Sequence, residues 1–193
     1  KYFHGLSSQV KLFPVCFEEG YGVVLKDVDG NEFLDFSSGI YVTSLGHCHP
    51  KVSEAVATWA KKLMNAHDFT TPIKEKALEK LVSVLPGNLN GVQFYSDGTA
   101  AVEAAIRAAR AINGKQEFIS CFRDFHGKSM AAVSCAQMTR GDVYSYGATR
   151  APGFYMVPRP NPYRPTFAKA DGTIDTDAYI RFYADFIQEG TAG

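Results

Sequence analysis

The sequence predicts an α/β fold: a mainly parallel sheet with flanking helices, preceded by a β-hairpin. Three observations predict it. The apolar run Val92 to Tyr95 passes through Ser96-Asp97-Gly98-Thr99 into an alanine-rich stretch, Ala100 to Arg110, whose period is helical. The elements after Pro50 alternate between helix and strand, the order that makes neighbouring strands parallel. Near the N-terminus, Asp29-Gly30 sits between two alternating apolar runs, a hairpin signal.

Taken in order, Lys1 to Glu19 has no clear period. Tyr21 to Leu25 reads as a strand, Asp27 to Gly30 as a turn and Asn31 to Phe36 as the returning strand, which Ser37-Ser38-Gly39 breaks. Pro50 opens a helix with the stripe Val52, Ala55, Val56, Trp59, Ala60 and Leu63. Thr71 can cap a second helix with Pro72 at its first position, and Pro86-Gly87 ends it. Val92 to Tyr95 reads as a buried strand. In the helix that follows, Ala101, Ala104, Ala105 and Ala108 make a smooth face suited to lie on a sheet, and Glu103 stands four residues before Arg107 as an ion pair. Asn113-Gly114 stops it, and Phe118 to Phe122 is a second strand. Gly141 to Asp175 is mostly irregular because prolines interrupt it, with Gly153 to Val157 as a strand inside. Tyr179, Phe182, Tyr183 and Phe186 then recur at helical spacing.

The turn at residues 96 to 99 carries the chemistry. A helix start leaves backbone N–H groups without partners and adds partial positive charge. Gly98 lets the backbone approach an anion, and the Thr99 hydroxyl can donate, which together suit a phosphate. The other reading is a capped turn with no ligand. Asp97 either sits near a phosphate as a like charge or caps the helix facing away.

Twenty basic and twenty acidic residues cancel, which argues against a general nucleic-acid or membrane-surface binder. No apolar run reaches membrane-spanning length. The four cysteines form no C-x-x-C pair, so a zinc site or dense disulfide framework is not indicated and a reducing, cytoplasmic setting is the default. His47-Cys48-His49 lacks a further ligand at diagnostic spacing and reads as a turn into the Pro50 helix.

Three stretches carry a resemblance. Ser96-Asp97-Gly98-Thr99 with the alanine run that follows, Phe125-His126-Gly127, and Leu45-Gly46-His47-Cys48-His49-Pro50 resemble, in order and spacing, the motifs of class III (omega-type) aminotransferases. The resemblance implies the fold type I architecture of pyridoxal-phosphate transferases, with residues 1–45 belonging to the small domain and 46–193 to the first half of the large, cofactor-binding domain. It implies pyridoxal 5'-phosphate as cofactor, held by Gly98 and Thr99 at its phosphate, with Phe125 over the ring and His126 beside it. Ile40 and Lys128 would face the substrate. The catalytic Schiff-base lysine is expected beyond Gly193, so none lies in this chain, and no metal is expected. Asp97 and Ala100 depart from the family's serine and glutamate. Lys128 stands where many relatives have a carboxylate-binding arginine.

The activity implied is transfer of an amino group between an amine or omega-amino acid (4-aminobutyrate- or ornithine-like, or an amino sugar) and a 2-oxo acid, by a homodimer. Alternatives are a dialkylglycine decarboxylase or amino-acid racemase of the same fold. From another class come a phosphate-binding module and an inactive structural relative.

Overall fold

The computed structural model describes residues 13–136 and 150–191. The chain divides into two compact units, Lys11–Val92 and one built from Gln93–Gly193. The start of the Lys1–Glu19 lead and residues 141–149 of the irregular stretch lie outside the described residues.

The first unit opens with a three-stranded antiparallel sheet, β1 (Phe17–Tyr21), β2 (Val24–Asp27) and β3 (Glu32–Leu34), in that spatial order. The expected strand Tyr21–Leu25 is instead the end of β1, a turn at Gly22-Val23 and the start of β2, with Tyr21 facing Val24. Gly22 takes φ +53°, a left-handed value that glycine tolerates, so the chain reverses inside an apolar run. The β2–β3 hairpin falls where the Asp-Gly signal puts it. Asp27, buried, fastens this turn: its carboxylate accepts the backbone N–H groups of Asp29 (3.0 Å) and Asn31 (2.8 Å) and the Asn31 side-chain amide (2.9 Å).

After β3 the backbone enters an unusual turn. Ser38, Gly39, Ile40 and Tyr41 all have positive φ (50°, 60°, 63° and 63°), one left-handed helical turn closed by Tyr41 N–H to Ser37 O at 3.0 Å. This is costly for β-branched Ile40. Helices α1 (Pro50–Ala60) and α2 (Pro72–Val82) follow. The Thr71 hydroxyl caps α2 by accepting the Lys74 N–H at 3.3 Å. Neither helix buries a residue, and the expected α1 stripe is open, with Val52 46% and Val56 64% exposed.

The second unit is α/β. Val92–Tyr95 forms no strand among the described residues, because no neighbouring backbone there supplies a ladder. Helix α3 (Gly98–Asn113) ends on Gly114 at φ +71°. Strand β4 (Phe118–Cys121) pairs in parallel with β5 (Phe154–Val157), and between them in sequence lies the short helix α4 (Met130–Ser134). Phe118 and Phe154 stack across the pair, and the Arg110 guanidinium sits over both rings. The covered face of α3 centres on buried Ile106, with Val102 and Glu103 half-buried. Of the alanine face, Ala101, Ala105 and Ala108 are exposed and Ala104 is half-buried. Isoleucine and valine gain more from burial than alanine does, which corrects the expectation that the alanine face lies on the sheet.

The core gathers around α4, where Ala132, Val133, Ser134, Cys135 and Ala136 are buried together with Val157 of β5. Helix α5 (Thr176–Gly190) starts on an Asp175 cap. Its aromatic stripe is realised: Tyr179 and Phe182 pack on Phe167, Phe186 packs on Tyr155, and Tyr183 donates to the Pro158 carbonyl at 2.6 Å.

Asp27 generates a prediction. The Asn31 amide, with the backbone N–H groups, holds its carboxyl below its ordinary value of 3.8. A depressed folded-state pKa gives stability that is present above the ordinary value and lost as pH falls through the folded one. In the whole protein, amide-exchange protection at Asp29 and Asn31 should therefore fall as pH drops below 3.8. Asp27→Asn should lower that protection already at neutral pH and flatten its acid dependence.

Candidate functional site

The site begins at the start of α3. Asp97 is extended (φ −159°, ψ 171°) and caps the helix, its Oδ1 accepting the Ala100 N–H at 2.9 Å. That bond, with the Ser96 hydroxyl at 3.1 Å, holds the carboxyl below its ordinary value. Of the two readings of Asp97, the capping one is realised. Its carboxylate is committed to the helix, and the dipole's partial positive charge stabilises it there. The Gly98 N–H and the Thr99 hydroxyl remain as donors for an added anion. The space over Gly98 is open: a Cβ built there meets no atom within 4 Å.

The other wall comes from the loop after β4. The sheet hydrogen bonding runs one residue past β4, with Phe122 N–H donating to Val157 O at 2.8 Å, and the chain then turns through Arg123 at φ +68°. Asp124 accepts the Cys121 N–H at 3.3 Å and lies 3.9 Å from His126 Nε2 and 3.8 Å from Arg159. His126 thus stands beside an acidic partner that was not anticipated. Phe125 is 67% exposed, so its ring has a free face.

Gly127 joins the two walls. It is buried, at φ +134°, and a Cβ there would fall 2.6 Å from Thr99 Oγ1 and 2.7 Å from Thr99 Cγ2. Only glycine fits both the torsion and the contact. The aromatic-histidine-glycine segment therefore meets the threonine of the phosphate-type turn through Gly127, with His126 one residue and Phe125 two residues before the contact. Lys128 follows, exposed.

Glu103 corrects the sequence reading. Its carboxylate does not form an ion pair with Arg107. Its Oε1 accepts the Ser129 hydroxyl and the backbone N–H groups of Ala131 (3.0 Å) and Ala132 (3.1 Å). These bonds, the Ser129 hydroxyl first, lower its pKa from the ordinary value. A favourable i,i+4 pair in sequence is worth only about 0.2–0.5 kcal/mol, so the N-terminus of another helix easily outcompetes it.

The remaining expected site residue, Ile40, lies in the first unit, 75% exposed on the left-handed turn. Asp35 braces that turn by accepting the N–H groups of Ser37 (2.8 Å) and Ser38 (2.9 Å), and its other oxygen lies 2.6 Å from His47 Nε2. The His47 backbone meanwhile pairs with Gly22. The glycine-histidine-x-histidine-proline segment thus fastens the sheet to the Ile40 turn. A cavity of about 570 Å³ beside α1 is lined by Val42, Leu45, Val52 and Val56 together with the polar Thr43, Cys48 and His49.

A sequence profile described as aminotransferase class-III matches residues 6–188. The chain is 39% identical over 123 residues to an acetylornithine aminotransferase of Methanopyrus kandleri, covering 63% of this chain and 32% of that one. It is 30% identical over 182 residues to an alanine/serine racemase of Pyrococcus horikoshii, covering 93% of this chain and 38% of that one. In fold it is similar to an (S)-enantioselective omega-transaminase from Thermomicrobium roseum, with TM-score 0.78 and 24% identity over 97% of this chain and 45% of that one. The chain spans about a third of the length of the curated relatives it matches, 32% and 30% for the first two. From the match across nearly all of its residues, the chain belongs to the class-III aminotransferase family.

Proposed function

We propose that the protein containing this chain is a pyridoxal-phosphate-dependent aminotransferase, exchanging an amino group between an amine or omega-amino acid and a 2-oxo acid. One observation supports the reading: the close seating of Gly127 on Thr99, which sets the backbone of the aromatic-histidine-glycine segment against a phosphate-type helix start. The residues present fit the cofactor. The space over Gly98 is open, the Thr99 hydroxyl lies at the junction, and Asp97 is turned to its own helix.

When bound, pyridoxal phosphate supplies the electron sink for amino-group chemistry. The chain's own residues bind and orient it. Gly98 and Thr99 would hold the phosphate through a backbone N–H and a hydroxyl, aided by the α3 dipole. Phe125 would cover one ring face, His126 would stand beside the ring, and Lys128 and Ile40 would meet the substrate. In the same reading, residues 1–45 belong to the small domain and 46–193 to the large one. We further read the protein as a homodimer in a reducing cytoplasm. Family membership supports the dimer, and the four free cysteines, two of them exposed, support the compartment. No described helix is long and apolar enough to cross a membrane.

Cofactor titration of the whole protein tests the site. Thr99→Ala should weaken pyridoxal-phosphate binding at least about tenfold, the effect of losing a hydrogen bond to a charged group. Gly98→Val should also lose affinity while leaving the cofactor-free melting temperature unchanged, because its side chain meets open space. Gly127→Ala should instead destabilise the cofactor-free protein, since its Cβ strikes Thr99. Unchanged cofactor affinity in both Thr99→Ala and Gly98→Val would contradict the assignment.

Substrate choice is tested at Lys128. For a donor with a distal carboxylate, Lys128→Arg should preserve or improve kcat/KM, because a guanidinium fork holds a carboxylate in two bonds, whereas Lys128→Met should raise KM. Measuring 4-aminobutyrate, ornithine and an amino sugar against both variants separates the donor classes. Equal effects on all three would show that Lys128 does not read the donor.

A further inference from the structure

Helix α4 is short, and its capping is unusual. Ser129 occupies the cap position, a residue type that ordinarily bonds its own helix, yet its hydroxyl makes no such bond. It donates to Glu103 on α3, and the same Glu103 oxygen accepts the Ala131 and Ala132 N–H groups that the serine leaves unsatisfied. One carboxylate, 26 residues away in sequence from Ser129, thus caps α4 from outside. The charge it holds there is favoured by the partial positive end of α4 and by three donors converging on one atom.

The spacing shows what this does for the site. Thr99 and Glu103 are four residues apart on α3, so they lie on one face about 6 Å apart along the axis. Gly127 and Ala131 are likewise four apart on the facing segment. Thr99 meets Gly127 and Glu103 meets Ala131, so the segment is fixed to α3 at two points one helical turn apart. A single contact would leave the segment able to pivot. Two contacts one turn apart also restrain its tilt along α3, and Phe125 stands two residues before the first of them. Between Gly127 and Ser129 stands only Lys128, so freeing Ser129 frees Gly127 within two Cα–Cα steps of about 3.8 Å each.

We propose that Glu103 is a positioning residue of the cofactor site, holding the Phe125-His126-Gly127 segment against Thr99 by fastening Ser129, Ala131 and Ala132 to α3. The proposal rests on the aminotransferase reading above. Glu103 touches neither cofactor nor substrate in this role and acts through the segment that does.

The test uses the whole protein and two variants. Glu103→Gln keeps the length of the side chain and removes its charge. Ser129→Ala removes one of the three bonds and keeps the fold where the first variant fails to fold. Three quantities are measured: amide exchange at residues 125–132 without cofactor, the dissociation constant of pyridoxal phosphate, and the visible circular dichroism of the cofactor at saturation. The expected result is faster exchange at Ala131 and Ala132, at least about tenfold weaker cofactor binding in Glu103→Gln with a smaller loss in Ser129→Ala, and altered dichroism at saturation in both. Altered dichroism reports ring orientation, which a merely structural cap would leave in place. Wild-type binding with unchanged affinity and dichroism in both variants overturns this proposal alone, even where exchange rises. A wild-type protein that binds no pyridoxal phosphate removes the aminotransferase reading, and this proposal with it.

Discussion

The site depends on one steric fact: residue 127 has no side chain, so the backbone after β4 can lie on Thr99. A helix start by itself is a generic anion acceptor, and an exposed phenylalanine by itself is a generic surface residue. Their juxtaposition makes a place that can receive an anion and a flat ring together. The Thr99 side chain is short and β-branched, with few alternative positions, whereas ordering the Gly127 backbone costs more entropy than ordering any other residue type, so the contact has to be held by what surrounds it. Glu103 adds a second attachment one turn along the same helix, and that helix is itself fixed at its C-terminal end by Arg110, which covers the Phe118–Phe154 stack and bonds the Gln116 carbonyl at 2.8 Å.

Much of this was legible in the sequence, for reasons that differ by element. The start of α1 at Pro50, the Thr71 cap and the Gly114 stop are local, set by residues that touch their own neighbours in the chain, and the structure has each of them. The aromatic spacing of α5 is also local and is realised. What the sequence hid is what depends on distant partners. Val92–Tyr95 has the composition of a strand, but a strand exists only where another backbone hydrogen-bonds to it. The alanines of α3 look like a packing face, yet the larger Val102 and Ile106 take the covered side. Glu103 shows the limit most plainly. Its nearest opposite charge in sequence is Arg107, while its bonds go to residues 26 to 29 positions away. The sequence-level signal for that link was a serine before a short apolar run with no acidic residue in its first turn, a helix in need of an outside cap.

The first unit carries the opposite lesson. Its organising bonds are polar: Asp27 in the hairpin turn, and Asp35 between the left-handed turn and His47. The His47 ring bond lowers the Asp35 pKa, followed by the Ser37 N–H, so this brace also depends on the carboxylate form. Among its described residues no apolar side chain is buried, and the stripe of α1 remains largely open. Local polar fastenings therefore set the conformation of residues 35 to 47, including the costly torsion at Ile40, without an apolar core of their own. The relatives are about three times as long as the matched segment, which accords with apolar surface of this extent.

In the proposed function, the start of α3 and the segment around Phe125 form one cofactor site. The most direct measurement is a crystal structure of the whole protein with pyridoxal phosphate bound. Phosphate oxygens are expected within hydrogen-bond distance of the Gly98 N–H and the Thr99 hydroxyl, with the pyridine ring stacked on Phe125. A phosphate held elsewhere, or a ring turned away from Phe125 while Gly127 still rests on Thr99, would contradict it.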